Sequence, residues 1–123
     1  MAWELNGDRP IYAQLAEQIE RRIISGFYQP GQRLPSVRDL AADAAVNPNT
    51  MQRALAELEQ KGLVHAQRTS GRYITEDGAM IDEAKNLLAM EEVRAFFLKM
   101  QSLGFDRDQT AELLRAAAAK ERE

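Results

Sequence analysis

Nine of the side chains between positions 33 and 72 are candidates for gripping nucleic acid. Arg33, Arg38, Arg53, Arg68 and Arg72 carry guanidinium forks, Ser36 and Thr50 hydroxyls, and Asn49 and Gln52 carboxamides. Guanidinium groups pair with phosphate oxygens or with the acceptor edge of guanine, carboxamides pair with adenine, and hydroxyls reach either phosphate or base. Competing chemistries lack their parts. The chain has no Cys, which removes thiolate nucleophiles, disulfides and thiolate metal sites. Its single His, His65, makes neither a triad nor a multi-histidine metal centre by itself and reads as a strand residue. A nucleophile–base pair and a glycine-rich phosphate cradle are both missing, so no catalytic residue, metal or cofactor is expected.

Those nine residues need elements to hold them. Ile11, Leu15, Ile19 and Ile23 recur at helical spacing between Pro10 and Gly26, which predicts a first helix. Gln29-Pro30-Gly31 marks a turn. Ser36 is placed to cap a short second helix with Asp39 in its first turn and Val37, Leu40 and Ala41 on its apolar face. Asn47-Pro48 opens a third helix, with Pro where no hydrogen bond is lost. Met51, Ala54, Leu55 and Leu58 form its core face, and Asn49, Arg53, Ala56 and Gln60 lie opposite, with Thr50 and Gln52 on the flanks. From Leu63 to Thr75 the period shortens to that of two strands, with Arg68-Thr69-Ser70-Gly71 as the turn between them.

Three helices and a hairpin in this order predict a winged helix-turn-helix. The third helix would enter the major groove and the hairpin tip, with Arg68 and Arg72, would reach phosphates or a minor groove. Net charge over all 123 residues is −3, but it is unevenly placed. Residues 33–75 hold 6 Lys+Arg against 4 Asp+Glu, whereas residues 76–123 hold 7 against 11. Phosphate attraction follows the local field, so the acidic tail does not exclude a DNA-binding first part.

Three motifs in sequence order then resemble the GntR family of bacterial regulators. They are Pro10-Ile11-Tyr12-Ala13-Gln14, the run from Pro30-Gly31 through Leu34-Pro35-Ser36-Val37-Arg38 to Ala41, and Val46-Asn47-Pro48-Asn49-Thr50-Met51-Gln52-Arg53-Ala54-Leu55. The last run resembles the YtrA-like subfamily in particular. The resemblance spans residues 10–75 and implies a DNA-binding transcriptional regulator, usually a repressor, acting as a homodimer on an inverted repeat. It places phosphate or base contacts at Arg33, Ser36, Arg38, Asn49, Thr50 and Arg53. Other branches often carry Arg where Pro48 and Gln52 stand here, so a different operator is expected. Thr69 stands where the wing often has Gly.

Beyond Glu76-Asp77-Gly78 a long helix is expected from Ala79 to Leu103, then a last helix opened by a capping box of Asp106 and Gln109. Leu87, Leu88, Val93, Phe96, Phe97, Met100, Leu113 and Leu114 give this tail more apolar surface than two helices can cover for themselves. The expected occupant is a second copy, and the resemblance likewise implies dimerisation through the tail. Asp82, Glu83, Glu91 and Glu92 read as a solvated face rather than a metal site. The fold class expected is thus mainly α with a small β-hairpin: a winged helix-turn-helix domain over 1–75 and a two-helix dimerisation region over 76–123. Expected partners are double-stranded DNA with an inverted repeat, a second copy, and a small-molecule effector whose existence the sequence leaves open. A Met-Ala-Trp-Glu opening without an apolar core, and no apolar run near the ~18 residues that span a bilayer, lead to a cytoplasmic expectation with no membrane partner. The rival reading is a winged-helix protein-interaction module that engages its partner through the acidic tail.

Overall fold

The computed structural model describes residues 2–122. Helices α1 (Ile11–Ile24), α2 (Val37–Ala44) and α3 (Pro48–Gln60) are followed by strands β1 (Val64–Gln67) and β2 (Gly71–Ile74), then α4 (Gly78–Ser102) and α5 (Arg107–Glu121). The fold is the expected one, mainly helical with one small antiparallel sheet. The chain divides into two compact units, the first ending at Lys85 and the second beginning at Asn86.

The first unit is built on one apolar core. Leu15, Ile19 and Ile23 of α1, Leu40 and Ala41 of α2, and Met51, Ala54, Leu55 and Leu58 of α3 are buried together with Leu63, Val64 and Ile74 from the hairpin. Each helix start is set locally. Ser36 Oγ accepts the backbone N–H of Asp39 at 3.1 Å, and Asn47 Oδ1 accepts that of Asn49 at 2.8 Å with Pro48 in the first turn. Pro10 stands just outside α1 as its N-cap.

The connection between α2 and α3 depends on Ala45, whose φ of 57° and ψ of 46° are left-handed. Around it the Ala45 N–H donates to Ala42 O at 3.2 Å and the Val46 N–H to Ala41 O at 2.9 Å, the two bonds of a Schellman motif. The chain reverses there in a few residues and α3 can start at once.

The hairpin is broader than its two strands. Val64 pairs with Ile74 and Gln67 with Gly71 in antiparallel register. The segment 31–34 then adds to the other edge of β2: Leu34 N–H donates to Arg72 O at 2.8 Å, Ile74 N–H to Gln32 O at 2.9 Å and Gly31 N–H to Ile74 O at 3.0 Å. The wing is thereby tied to the stretch that leads into α2. An N-terminal arm, which the periodicity does not reveal, straps the outside of α1. Gln14 exchanges hydrogen bonds with the backbone of Asn6 at 2.9 Å each way, and Trp3 Nε1 donates to Asp43 of α2 at 2.8 Å.

The first unit includes the opening turns of α4. Ile81 is buried, Met80 and Ala84 pack against the same core, and Asp77 Oδ1 accepts the Met80 N–H at 3.2 Å. Compactness therefore runs about ten residues beyond the 75/76 boundary expected from the break in pattern.

In the second unit, α4 runs on to Ser102, Gly104 turns the chain at a φ of 96°, and Asp106 and Gln109 form the expected capping box on α5. Only Thr110 is buried among the residues of α5. Leu87 (63% exposed), Leu98 (64%) and Leu103 (70%) stand largely in solvent. The apolar residues of α4 are spread around the helix rather than gathered into one stripe, so one facing helix cannot cover them.

Candidate nucleic-acid interface

The DNA-reading candidates fall in three groups, all within the first unit. On α3 the core face is fully occupied, and Asn49, Gln52, Arg53 and Ala56 project away from it and are exposed. Thr50, on the flank, is half-buried. Small Ala56 in the middle of this face leaves space for close approach by a groove floor. At the start of α2, Ser36 and Arg38 are exposed, and Ser36 already caps the helix. Capping uses one lone pair of the hydroxyl oxygen and leaves its O–H free to donate.

The third group is the wing, with Arg68, Arg72 and the neighbouring Arg33. Arg68 is exposed in the turn. Arg72 is half-buried and forms an ion pair and hydrogen bond with Glu59 of α3. It lies on the same side of β2 as the fully buried Ile74, so alternation along the strand turns it toward α3. Arg72 thus braces the wing against α3 and its charge is already matched. Arg33 lies on the opposite side, bridged to Tyr73. Its guanidinium rests over Gly71: a Cβ there would stand 3.3 Å from Nε and 3.4 Å from Nη2. Gly71, with a φ of 106°, both turns the chain and gives this Arg its seat.

Charge pairing separates the arginines further. Among the described residues, Arg33, Arg38, Arg53 and Arg68 have no carboxylate within ion-pair distance. Arg53 is covered on one face, its guanidinium carbon 3.8 Å from the centre of the Tyr12 ring of α1. The first unit therefore presents four uncompensated guanidinium groups from α2, α3, the wing and the segment before α2. His65 stacks across the strands on Tyr73, with ring centroids 6.0 Å apart, and no cluster that could hold a metal exists among the described residues.

Residues missed by sequence reasoning are mostly partners of the arginines. Tyr12 resembles a core aromatic in the pattern of α1 but is half-buried under Arg53. Arg22 is buried between Trp3 at 3.9 Å and the rings of Phe27 and Tyr28, and it donates to Tyr28 Oη at 3.2 Å. Glu20 is likewise buried and accepts from Lys61 Nζ at 3.0 Å, joining α1 to the end of α3. The contacts of Tyr12 with Arg53, Trp3 with Arg22 and Glu20 with Lys61 cross long stretches of sequence and leave no periodic signal.

A family comparison bears directly on this arrangement. Residues 11–74, which hold all nine DNA-reading candidates, match the model for bacterial regulatory proteins of the gntR family. The chain belongs to the GntR family. It is 32% identical over 111 residues to the HTH-type transcriptional repressor YtrA of Bacillus subtilis, covering 89% of this chain and 85% of that one. A GntR family transcriptional regulator from Listeria monocytogenes superposes with a TM-score of 0.83 at 35% identity, over 91% of this chain and 98% of the other. The DNA-binding domain of AraR in complex with an operator matches 61% of this chain and 99% of its own, with a TM-score of 0.56 and 26% identity. This GntR-family chain is accordingly a YtrA-like DNA-binding transcriptional regulator and not an enzyme. No helix among the described residues is long and apolar enough to cross a membrane.

The second unit holds the residues expected to join two copies. Leu87, Val93, Phe96, Leu113 and Leu114 are exposed, and Leu88, Phe97 and Met100 are half-buried. Met90, Leu98, Leu103 and Phe105 add to this surface. A groove of about 580 Å³ is lined by apolar Met90, Val93, Phe97, Leu98 and Phe105 and by polar Arg94, Gln101, Asp106 and Arg107.

Proposed function

We propose that this chain is a cytoplasmic homodimeric repressor that occupies an inverted-repeat operator. The reading rests on one observation above all: the face of α3 opposite its buried residues, with Asn49, Gln52 and Ala56, is uncovered by the protein's own chain. On this reading Asn49 and Gln52 meet base edges in the major groove. Arg33, Ser36, Arg38, Thr50 and Arg68 hold phosphates on either side, and Arg53 belongs to the same surface. Arg72 supports the wing through Glu59, which already offsets its charge.

The tail supplies the second half of the proposal. Residues 1–75 carry the DNA-binding domain and residues 76–123 the dimerisation region, with the opening turns of α4 rooting one in the other. The groove and the exposed Leu87, Leu98, Leu113 and Leu114 are assigned to the matching surface of a second copy. A stable dimer buries roughly 800 Å² per partner, which two helices of this length and composition can supply. A two-fold pair then presents two α3 helices to half-sites about 34–36 Å apart or at a longer spacing set by the tail. The repressor role is carried over from YtrA, and the operator from the AraR complex.

Selection of bound duplexes from a random pool tests the proposal. It should return a two-fold symmetric site, with the retained complex containing two chains by sedimentation. An asymmetric or unselected pool, or a single chain at high concentration, would overturn it. Retention of a protein partner by residues 79–123 together with no DNA retardation would favour the interaction-module reading instead.

A further inference from the structure

We infer that Tyr12 is a positioning residue for DNA binding, holding Arg53 as a clamp on a backbone phosphate at the α1 side of the recognition helix. This deepens the operator-binding reading and rests on it. Three observations converge. The Arg53 guanidinium lies 3.8 Å from the centre of the Tyr12 ring, close enough for a cation–π contact. No carboxylate or hydrogen-bond partner engages Arg53 among the described residues, whereas Arg72, on the other flank of α3, is tied to Glu59. Arg53 also remains exposed in spite of the stack.

The geometry sorts its role. A ring covering one face of a planar guanidinium leaves all five N–H donors free, since they lie in the plane. Stacking therefore removes rotamer freedom from a long side chain without using any donor. The clamp is pre-ordered before DNA arrives, and less entropy is lost on binding. Position on the helix then decides between phosphate and base. Asn49 and Ala56 lie nearest the centre of the outward face, and Gln52 leans toward the Glu59 side that braces the wing. Arg53 leans the other way, toward Tyr12 in the first turn of α1. A side chain drawn to that edge meets the sugar–phosphate wall of the groove, not its floor.

The test uses the full chain and a duplex selected from a random pool. Affinity is measured across a salt series for wild type, Tyr12→Phe, Tyr12→Leu, Arg53→Ala and the Tyr12→Leu/Arg53→Ala pair. Tyr12→Phe keeps the ring and should match wild type. Tyr12→Leu should bind about two- to fivefold more weakly, with no further loss when it is added to Arg53→Ala. Arg53→Ala should reduce the magnitude of the log–log salt slope by about 0.9 and leave the base preference unchanged. In the free protein the Arg53 Nε–H resonance should carry a ring-current shift in wild type and Tyr12→Phe that disappears in Tyr12→Leu. Should Tyr12→Leu lower the thermal midpoint, Tyr12→Met takes its place. Additive losses, equal defects in Tyr12→Phe and Tyr12→Leu, or an altered preference at one base pair in Arg53→Ala would each overturn the clamp while leaving operator binding intact. Failure of the wild type to retain any duplex would refute both.

Discussion

Ala45 is the one non-glycine residue among those described with a positive φ, and replacing it with Gly should stabilise the protein. It sits between α2 and α3 at φ 57° and ψ 46°, where Cβ crowds the following carbonyl oxygen. That conformation costs an L-residue about 1–2 kcal/mol, and Gly escapes the cost. Against this, Gly gives the unfolded chain about 0.5–1 kcal/mol more entropy to lose. Ala45 is exposed, so removing its methyl sacrifices no packing. The balance is a gain of about 0.5–1 kcal/mol for Ala45→Gly, or a rise of about 2–8 °C in the melting temperature of a unit this size. Thermal unfolding by circular dichroism, with urea midpoints as a check, measures it. Ala45→Val should go the other way by at least about 1 kcal/mol, because a β-branched residue resists this region. The Schellman bonds are retained in Ala45→Gly, so the start of α3 and the operator affinity should not move. A Gly variant no more stable than wild type, or a Val variant equal to it, would refute the left-handed assignment at the helix-turn-helix corner.

Other perturbations address the interface, the tail and pH. Glu59→Gln removes the partner that neutralises Arg72. Its salt slope on DNA should become steeper, by up to about 0.9, and electrophoretic retardation should show stronger non-specific binding. Leu98→Glu combined with Leu114→Glu places charges on the exposed apolar surface of the second unit. Sedimentation should show a single chain, and affinity for a two-half-site operator should drop by about 100-fold or more while a single half-site is bound as before. Arg9 donates to Glu17 at 2.6 and 2.9 Å, and these hydrogen bonds hold the Glu17 carboxyl below its ordinary range. The pair's contribution to stability is therefore fully present above the unfolded carboxyl value of about 4.3 and is lost as pH falls through the lowered native value. Both side chains are about half exposed, so the effect is small. Glu17→Gln should lower the urea midpoint slightly at neutral pH and converge with wild type at low pH, so that the acid limb of its profile is flatter.

Much of the molecule is legible along the chain because its determinants are local. A cap needs one side chain and one N–H two or three residues away, so Ser36, Asn47 and Asp106 announce α2, α3 and α5 directly. The buried face of α3 repeats at helical spacing, which by subtraction reveals the face left for DNA. The exceptions have physical causes too. Segment 31–34 joins the wing through backbone hydrogen bonds, which any sequence can make. A left-handed Ala45 carries none of the signal that Gly or Asn would give at a helix end.

Sequence alone determined the class of the protein: the order of helices and strands, the GntR resemblance, the residue types able to hold phosphate and base, and an apolar tail in excess of what two helices can cover. Only the tertiary structure decided what each cation does. Arg33, Arg53, Arg72 and Arg22 have the same side chain, but one is seated over Gly71, one stacked on Tyr12, one paired with Glu59 and one buried among Trp3, Phe27 and Tyr28. A guanidinium's role is set by the groups that reach it through space. Those groups lie from 5 to 41 positions away along the chain, where no local pattern records them.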